Sequence, residues 1–229
     1  MINLDCGEIS QSLDEELIPL VDIANICCGA YAGNKEMTEN AVLLCKKYGV
    51  KISAHLGYPD KRNFGRVSMS IEISDLQKSL IQQVKLLDEI TSRHSCQISY
   101  LKCHGALYHD ARSRRDIYNM LQEIIGKELP FLEGHITIND DKEFKRNKLP
   151  VIQEGFADRR YVKRFVLRNR KYKDAVITNP HLIISQYNYL KEGFVITGKG
   201  KEEMICDTIC FHGDNEASRK ALKILAGSI

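Results

Sequence analysis

The sequence lacks several features that would place it in a common functional class. Its 33 Lys and Arg residues nearly balance 30 Asp and Glu residues, for a formal net charge of +3. No strong field for nucleic acid or membranes is therefore expected. The chain contains no membrane-length apolar run, and its amino terminus lacks the charged and apolar regions of an export signal. We expect a cytoplasmic protein that binds neither nucleic acid nor membranes.

Metal and nucleotide motifs are missing as well. The 8 cysteines include no C-x-x-C pair, which favours reduced, mostly buried thiols over a structural zinc site. The chain has no G-x-x-x-x-G-K-[ST] loop, the glycine-rich turn that binds nucleotide phosphates. Cys28 lies beside a glycine-containing loop, but no histidine is near it in the sequence, so it is a weak candidate for a nucleophile.

Short apolar segments alternate with longer amphipathic ones, which predicts an α/β fold with a parallel sheet in one domain, residues 1–229. A capping box at Ser12 to Glu15 is expected to begin the first helix. Residues 159–173 show no clean period. Strands are expected near residues 2–4, 23–26, 50–54, 98–101, 131–138, 151–153 and 208–211. Helices are expected near residues 12–21, 35–48, 74–91, 116–125, 180–190 and 215–226.

Chemically reactive side chains recur directly after the expected strands. The carboxyl ends of parallel strands open on one face, so these side chains should converge although they are far apart in the sequence. Each alone has a structural explanation, such as a helix cap or a hydrogen-bonded core histidine. The whole set would need many independent coincidences. It comprises Asp5, Glu8, Asn25, His55, Asp60, Lys102, His104, Glu154, Asp158, His212 and Asp214.

Seven segments of the sequence form specific motifs that span nearly the whole chain, and none is a generic pattern such as a lone G-x-G. The segments are NLDCGE at 3–8, ANICCG at 24–29, AHLGYPD at 54–60, NFGR at 63–66, KCHGALY at 102–108, EGFADRRY at 154–161 and HGD at 212–214. They resemble, in order, the motifs of the LamB/YcsF family, the A subunit of prokaryotic 5-oxoprolinase.

The resemblance implies a distorted, TIM-like (β/α) barrel similar to the glycoside hydrolase and deacetylase barrels. It also implies work with two further subunits, B and C, in the ATP-dependent hydrolysis of 5-oxo-L-proline, a cyclic amide, to L-glutamate. Phosphorylation of the lactam oxygen would make a better electrophile, to which a positioned base could deliver water. Because this chain has no phosphate-binding loop, ATP use is expected to depend mainly on the partners.

The resemblance also suggests roles for the charged groups. Asp5 or Glu8 is the candidate base, and replacement of Asp5 is expected to cost little stability, because Asp5 follows a very short strand. Lys102, Arg66 or Arg168 is expected to bind the substrate carboxylate or a phosphate. His55, His104 or His212 is expected to shuttle protons or polarise the carbonyl. The expected catalytic residues are Asp5, Glu8, His55, Lys102, His104, Asp158 and His212. The expected substrate-binding residues are Asn25, Asp60, Arg66, Tyr108, Glu154, Arg159, Arg168 and Asp214.

The sequence departs from the family pattern at five positions. Ala30, Tyr31 and Asn34 stand where the family usually has Phe, His and Asp. Cys103 replaces Pro, and His109 stands where Asn is frequent. A phenol and a neutral amide would be poor replacements for metal ligands. We therefore predict no metal site, although the sequence leaves a divalent ion open.

Two other functions stay open at this point. The first is a metal-dependent amide hydrolase that acts without ATP, as in related deacetylase barrels, with ligands drawn from Asp5, His55, His104, His212 and Asp214. The second is a binding subunit that has lost catalysis, which the substitutions at positions 31 and 34 would permit.

Overall fold

Strands and helices alternate along the chain, as the hydrophobic pattern predicts. The computed structural model describes residues 1–129, 133–137 and 151–227. The strands are β1 (Ile2–Cys6), β2 (Ile23–Cys27), β3 (Lys51–Leu56), β4 (Ile98–Cys103), β5 (Gly134–Thr137), β6 (Val151–Phe156), β7 (Tyr161–Lys163), β8 (Val166–Leu167), β9 (Phe194–Thr197), β10 (Gly200–Glu203) and β11 (Thr208–His212). The helices are α1 (Gln11–Leu17), α2 (Lys35–Tyr48), α3 (Ile73–Arg93), α4 (Gly105–Ser113), α5 (Arg115–Glu128), α6 (Pro180–Lys191) and α7 (Glu216–Leu225).

Parallel strands close into a barrel in the order β1-β11-β6-β5-β4-β3-β2, and β2 pairs with β1 to complete the ring. This confirms the expected distorted (β/α) barrel, with seven parallel barrel strands among the described residues instead of the usual eight. Helices pack outside this ring through apolar stripes such as Leu80, Val84 and Leu87 of α3. Within the described ranges, no helix is long and apolar enough to cross a membrane.

The interior of the barrel changes from apolar to polar along its axis. Alternate residues of each strand point inward. At the amino ends of the strands, Ile23 and Tyr100 form a small apolar cluster with Ile152. Two residues further along β2, toward the carboxyl ends of the strands, Asn25 Nδ2 donates to Asn3 Oδ1 at 2.7 Å. Both side chains are fully buried. The functional side chains at the strand ends therefore pack on a buried polar layer and not on an apolar one.

The start of the first helix differs from the prediction. Helix α1 begins at Gln11, and Ser10 is its N-cap, with Oγ accepting from the Leu13 amide at 3.3 Å. The capping box predicted at Ser12 is therefore wrong by two residues. Asp14, in the first turn of α1, turns back to the first loop, where its two oxygens each lie 3.1 Å from the Gly7 amide nitrogen.

Other differences concern short elements. Helix α4 and the antiparallel hairpins β7–β8 and β9–β10 were not predicted. Strands of two to four residues are too short to show an alternating pattern. β1 extends to Cys6, so Asp5 lies inside the strand and not after it. The strand expected at 131–138 contains β5, and its remaining residues, apart from Glu133, lie outside the described ranges.

The cysteines are free thiols, as predicted. Cys28 is buried, and its Sγ contacts the Ile26 carbonyl oxygen at 3.4 Å. Burial raises the pKa of the Cys28 thiol well above its ordinary value. A protonated, buried thiol is a poor nucleophile, so the structure does not support this role for Cys28.

Asp14 gives a test of how burial in the first loop affects stability. Burial raises the pKa of Asp14 to about 6, against the opposing effect of the Gly7 amide. An unfolded Asp titrates near 4, so the folded state binds more protons between about pH 4 and 6, and its stability falls as pH rises through that interval. The carboxyl group is absent from Asp14→Asn. As the pH rises from about 4 to about 7, the free energy of unfolding of this variant should therefore increase by about 2 to 3 kcal/mol relative to that of the wild type.

Urea denaturation at about pH 4 and about pH 7 measures the free energies of unfolding of Asp14→Asn and of the wild type. Glu15→Gln, at an exposed position of the same helix, should keep the pH dependence of the wild type. Parallel stability curves for Asp14→Asn and the wild type would show that Asp14 does not titrate abnormally.

Candidate active site

A cavity of about 440 Å³ opens at the carboxyl ends of the barrel strands. This volume suits a small molecule. Residues from five barrel strands and from the loops after them form its wall. Of the residues predicted for the site, those that line it are Asp5, His55, Arg66, Lys102, His104, Tyr108, Arg159, Arg168 and His212. The remaining predicted residues, Glu8, Asn25, Asp60, Glu154, Asp158 and Asp214, lie outside this lining and contact it to different degrees.

Lys102 lies at the base of the cavity, and its side chain is only 2% exposed. Its Nζ donates to Asp5 Oδ1 at 2.8 Å and lies 2.9 Å from Glu154 Oε1. Burial alone would lower the pKa of Lys102, but Asp5 and Glu154 outweigh it and raise the pKa well above its ordinary value. Glu154, which is fully buried, therefore acts on the site through Lys102 and not by touching the cavity.

Asp5 is buried and charged. Its Oδ1 accepts from Lys102 and, at 2.9 Å, from Asn25 Nδ2, while Oδ2 lies 3.3 Å from His55 Nε2. Burial alone would raise the pKa of Asp5, but the positive charges of a protonated His55 and of Lys102 outweigh it and hold the pKa well below its ordinary value. The expectation that replacing Asp5 costs little stability is wrong, because the change would break a buried ion pair.

His55 of β3 and His104, which directly follows β4, lie next to each other beside Asp5. His104 Nδ1 lies 3.1 Å from His55 Nε2 and 3.3 Å from Glu8 Oε1. The other nitrogen of His104, Nε2, lies 2.9 Å from the Phe64 carbonyl oxygen. Tyr31 donates to Glu8 Oε1 at 3.0 Å, and its ring stacks on His104 with centroids 3.9 Å apart. Burial lowers the pKa of His104, which favours the neutral imidazole.

Glycines make this close packing possible. A Cβ at Gly57 would lie 2.4 Å from the Tyr31 ring. A Cβ at Gly65, where φ is +62°, would lie 3.1 Å from His104 Cδ2. Side chains at these positions would displace the stacked rings, so the glycines of the HLGYPD and NFGR segments hold His104 in place.

His212 enters the cavity from the opposite side. Its Nδ1 lies 2.7 Å from Asp158 Oδ1, and its backbone amide donates to Asp158 Oδ2 at 3.2 Å. Burial opposes the charge of Asp158, but His212 outweighs it and lowers the pKa of that carboxyl. The carboxylate accepts from Nδ1, so Nε2 of a neutral His212 is unprotonated, 3.8 Å from Asp5 Oδ2. Asp158 therefore orients His212.

The two arginines predicted to bind anions already have partners. Arg66 forms an ion pair with Asp214, and Arg168 Nε donates to Asp174 Oδ1 at 2.7 Å. Both still line the cavity. Asp214 contributes to the site only by holding Arg66. Their charges are largely compensated within the protein, which weakens the case for either as the main anion ligand.

Arg170 is an arginine that the sequence patterns did not indicate. It lines the cavity near Arg159, whose guanidinium is buried and donates to two backbone carbonyl oxygens, those of Ala175 and Arg168. Among the contacts of the described residues, the Arg170 side chain makes no hydrogen bond or ion pair. The only signal in the sequence was its position in the basic run at 159–173, which had no period to indicate which side chains face inward.

Two further predicted residues differ in placement. Tyr108 lines the cavity, and burial together with Glu154 raises its pKa well above the ordinary value, so its phenol stays protonated. Asp60 lies away from the lining and accepts from the backbone and side-chain nitrogens of Asn63 at 3.1 and 2.8 Å. Asp60 therefore shapes the loop that presents Phe64 and Gly65.

The order of these segments along the chain and around the barrel is that of one known group of proteins. The sequence profile of the LamB/YcsF family matches residues 2–229. The chain belongs to the LamB/YcsF family.

Proteins similar to this member of the LamB/YcsF family have been named. A relative from Vibrio campbellii, named as the A subunit of 5-oxoprolinase, is 32% identical over 231 residues, which cover 95% of this chain and 90% of the relative. A relative of the same name from Staphylococcus aureus is 35% identical over 223 residues, covering 94% and 89%. The crystal structure of the lactam utilization protein from Thermus thermophilus superposes with a TM-score of 0.86 at 27% identity, covering 99% of this chain and 96% of that one.

Two of the positions where this chain departs from the LamB/YcsF pattern have structural roles. Asn34 is the N-cap of α2 and accepts from the Met37 amide at 2.9 Å. Tyr31 holds Glu8 and stacks on His104. The buried cluster of Asp5, His55 and His104 does not include either substituted position, and all three of its members are retained.

Replacing Lys102 tests the base of the site. Lys102→Met would leave the carboxylates of Asp5 and Glu154 buried without their shared cation, and should lower the free energy of unfolding by about 3 to 5 kcal/mol. Lys78→Met, which breaks an exposed pair with Asp75, should cost less than about 0.5 kcal/mol. Urea denaturation at neutral pH measures both changes.

A double variant makes the interpretation specific. Lys102→Met combined with Glu154→Gln removes one of the two unpaired charges and should recover part of the lost stability. Equal losses for Lys102→Met and Lys78→Met would contradict the buried ion-pair network.

Proposed function

We propose that this chain is the A subunit of a multi-subunit enzyme that opens the lactam ring of 5-oxo-L-proline by hydrolysis. Relatives that cover nearly its whole length are named as the A subunit of 5-oxoprolinase, and a similar solved structure is named for lactam utilization. The observation that carries the proposal is one small cavity that combines a buried carboxylate and imidazole cluster with the guanidinium of Arg170, which has no ion-pair partner among the described residues.

Ring opening adds water across an amide. A bond forms between the water oxygen and the lactam carbon, the carbon–nitrogen bond breaks, and the nitrogen takes up a proton. His212 is the best-placed group to carry that proton, because Asp158 holds its Nδ1 and its Nε2 faces the cavity. Asp5 is less suited to be the base, because Lys102, Asn25 and His55 already engage its two oxygens.

The substrate carboxylate needs a cation that the protein has not already paired. Arg170 meets this requirement, whereas Arg66 and Arg168 have carboxylate partners. A guanidinium binds a carboxylate through two parallel hydrogen bonds. Arg170 would thus hold the anionic end of 5-oxoproline near the mouth and leave the ring to extend toward His212.

ATP and partner subunits complete the proposal. The balanced reaction converts one 5-oxoproline, one ATP and two water molecules into glutamate, ADP, phosphate and a proton. The lactam oxygen accepts the phosphoryl group, one water opens the ring with cleavage of the carbon–nitrogen bond, and the second water releases the phosphate. Since the chain lacks a phosphate-binding glycine loop, the B and C subunits would supply nucleotide binding. This chain would contribute the cavity in which the activated ring is opened.

Reconstitution tests this division of labour. Glutamate formation from 5-oxoproline is measured for the purified chain alone, with ATP, and with ATP plus the B and C subunits. Turnover is expected only in the last mixture. Rapid ATP-dependent turnover by the isolated chain would contradict the role of the partners, and a complete but inactive mixture would contradict the substrate.

A second candidate is an amide hydrolase that uses a metal ion and no ATP. The cluster of Asp5, His55 and His104 favours it, because their ligand atoms all lie within 4.8 Å of one another. Turnover of 5-oxoproline or another amide by the metal-loaded chain without ATP would select this function.

Arg170→Gln tests recognition of the substrate carboxylate in the reconstituted complex. The KM for 5-oxoproline should rise by about 10- to 100-fold, the effect of losing a hydrogen-bonded charge, with a smaller change in kcat. Lys173→Gln removes a neighbouring exposed charge outside the cavity lining and should leave the KM unchanged. An unchanged KM in Arg170→Gln would show that another group binds the carboxylate.

A further inference from the structure

We propose that Asp5, His55 and His104 bind one divalent transition-metal ion, with Glu8 in reach as a fourth ligand. The sequence predicted no metal, because positions 31 and 34 lack the residue types that would bind one. The structure assigns the site to different residues, all of which are present. Binding of the ion stands on the geometry alone, whereas its part in catalysis rests on the proposed function.

Hydrogen bonds fix where the protons of the two imidazoles lie. His104 Nε2 lies 2.9 Å from the Phe64 carbonyl oxygen, and His55 Nδ1 lies 3.3 Å from the Lys102 carbonyl oxygen. A carbonyl oxygen only accepts, so these two nitrogens carry the hydrogens. In the neutral rings the remaining nitrogens, His104 Nδ1 and His55 Nε2, therefore present lone pairs.

The two nitrogens that bear these lone pairs lie 3.1 Å apart. Two acceptors at this distance repel unless a cation or a proton lies between them. Histidines that bind metals usually donate the other ring N–H to a backbone carbonyl or a carboxylate, which fixes the tautomer and the ring orientation. Both histidines here have that second hydrogen bond in place.

The carboxylates next to the imidazoles add further acceptors. Asp5 Oδ2 lies 3.3 Å from His55 Nε2, and Glu8 Oε1 lies 3.3 Å from His104 Nδ1. Separations of this size are those between neighbouring ligands placed about 2.0 to 2.2 Å from one central ion. The side chains of Asp5 and Glu8 are each 5% exposed, so bulk water cannot easily supply the missing positive charge.

Formal charges point the same way. With ionised carboxylates and neutral imidazoles, Asp5, Glu8 and Glu154 contribute three negative charges, and Lys102 compensates one. Buried charges that are not compensated are costly. One divalent ion would neutralise the remaining two charges.

The ligand types select the class of ion. Two imidazole nitrogens and a carboxylate oxygen suit Zn²⁺, Co²⁺, Mn²⁺ or Fe²⁺, whereas Mg²⁺ and Ca²⁺ prefer oxygen ligands alone. Such an ion beside the cavity would polarise the lactam carbonyl or lower the pKa of a water molecule. The packing of Tyr31 on His104 would keep this ligand in its position.

Metal binding to the purified full chain is the test. The protein is stripped with a chelator and dialysed against Zn²⁺, and the bound metal is counted by mass spectrometry. We expect one Zn²⁺ per chain, no comparable binding of Mg²⁺, and with Co²⁺ an absorption spectrum of a site with nitrogen and oxygen ligands. His104→Gln should lower the Zn²⁺ affinity by about 100-fold or more, beyond the effect of losing an outer-shell partner.

His109→Gln is the matched control, because His109 lines the same cavity outside the cluster, and it should retain wild-type affinity. If His104→Gln fails to fold, Glu8→Gln gives the second variant and should weaken binding with the circular dichroism spectrum preserved. A folded wild-type chain that binds no Zn²⁺ or Co²⁺ would overturn the proposal and assign the gap between the histidines to a proton. Zinc binding without 5-oxoproline turnover in the complex would overturn the proposed function alone.

Discussion

The buried ammonium group of Lys102 is the interaction on which the rest of the site depends. It links Asp5 of β1 and Glu154 of β6 through the interior of the barrel. These strands do not pair with β4, the strand that carries Lys102, so the contact is made across the barrel and not along its wall. The positive charge of Lys102 helps to hold the pKa of Asp5 low and offsets part of the cost of burying both carboxyl groups. Their charge in turn determines which protons and cations the neighbouring histidines can hold.

A polar barrel interior costs folding free energy, because buried polar and charged groups lose their hydration. In many (β/α) barrels, branched apolar side chains fill the interior in layers. Here the apolar layer is confined to a small cluster around Ile23 and Tyr100, and the layer above it is made of amides and charges. Buried ion pairs seldom add net stability, because desolvation offsets their attraction. The main apolar core, between the strands and the outer helices, therefore has to supply the stability, and the interior is left for chemistry.

Much of this arrangement could be predicted from the sequence, for a physical reason. Parallel strands bring their carboxyl ends together, so a reactive side chain at each strand end predicts a shared site without knowledge of any contact. Asp5, His55, Lys102, His104 and His212 were found in this way and line one cavity. Their separate roles could not be predicted, because lining and supporting side chains look alike in sequence. Glu154 and Asn25 lie at strand positions like those of the lining residues but support Lys102 and Asp5 from below.

The parts that escaped prediction depend on contacts between distant segments. Arg170 lies in a stretch of hairpin and loop in which no period shows which basic side chain faces inward. The tautomers of His55 and His104 are set by carbonyl oxygens of Lys102 and Phe64, which only the folded chain brings near. Arg170 and the two histidines line the same cavity but favour ligands of opposite charge. The unpaired guanidinium attracts anions, and the floor, with its facing lone pairs and carboxylates, attracts cations. An anionic lactam would thus be oriented by charge alone, with its carboxylate toward Arg170 and its carbonyl oxygen toward whatever cation the floor holds.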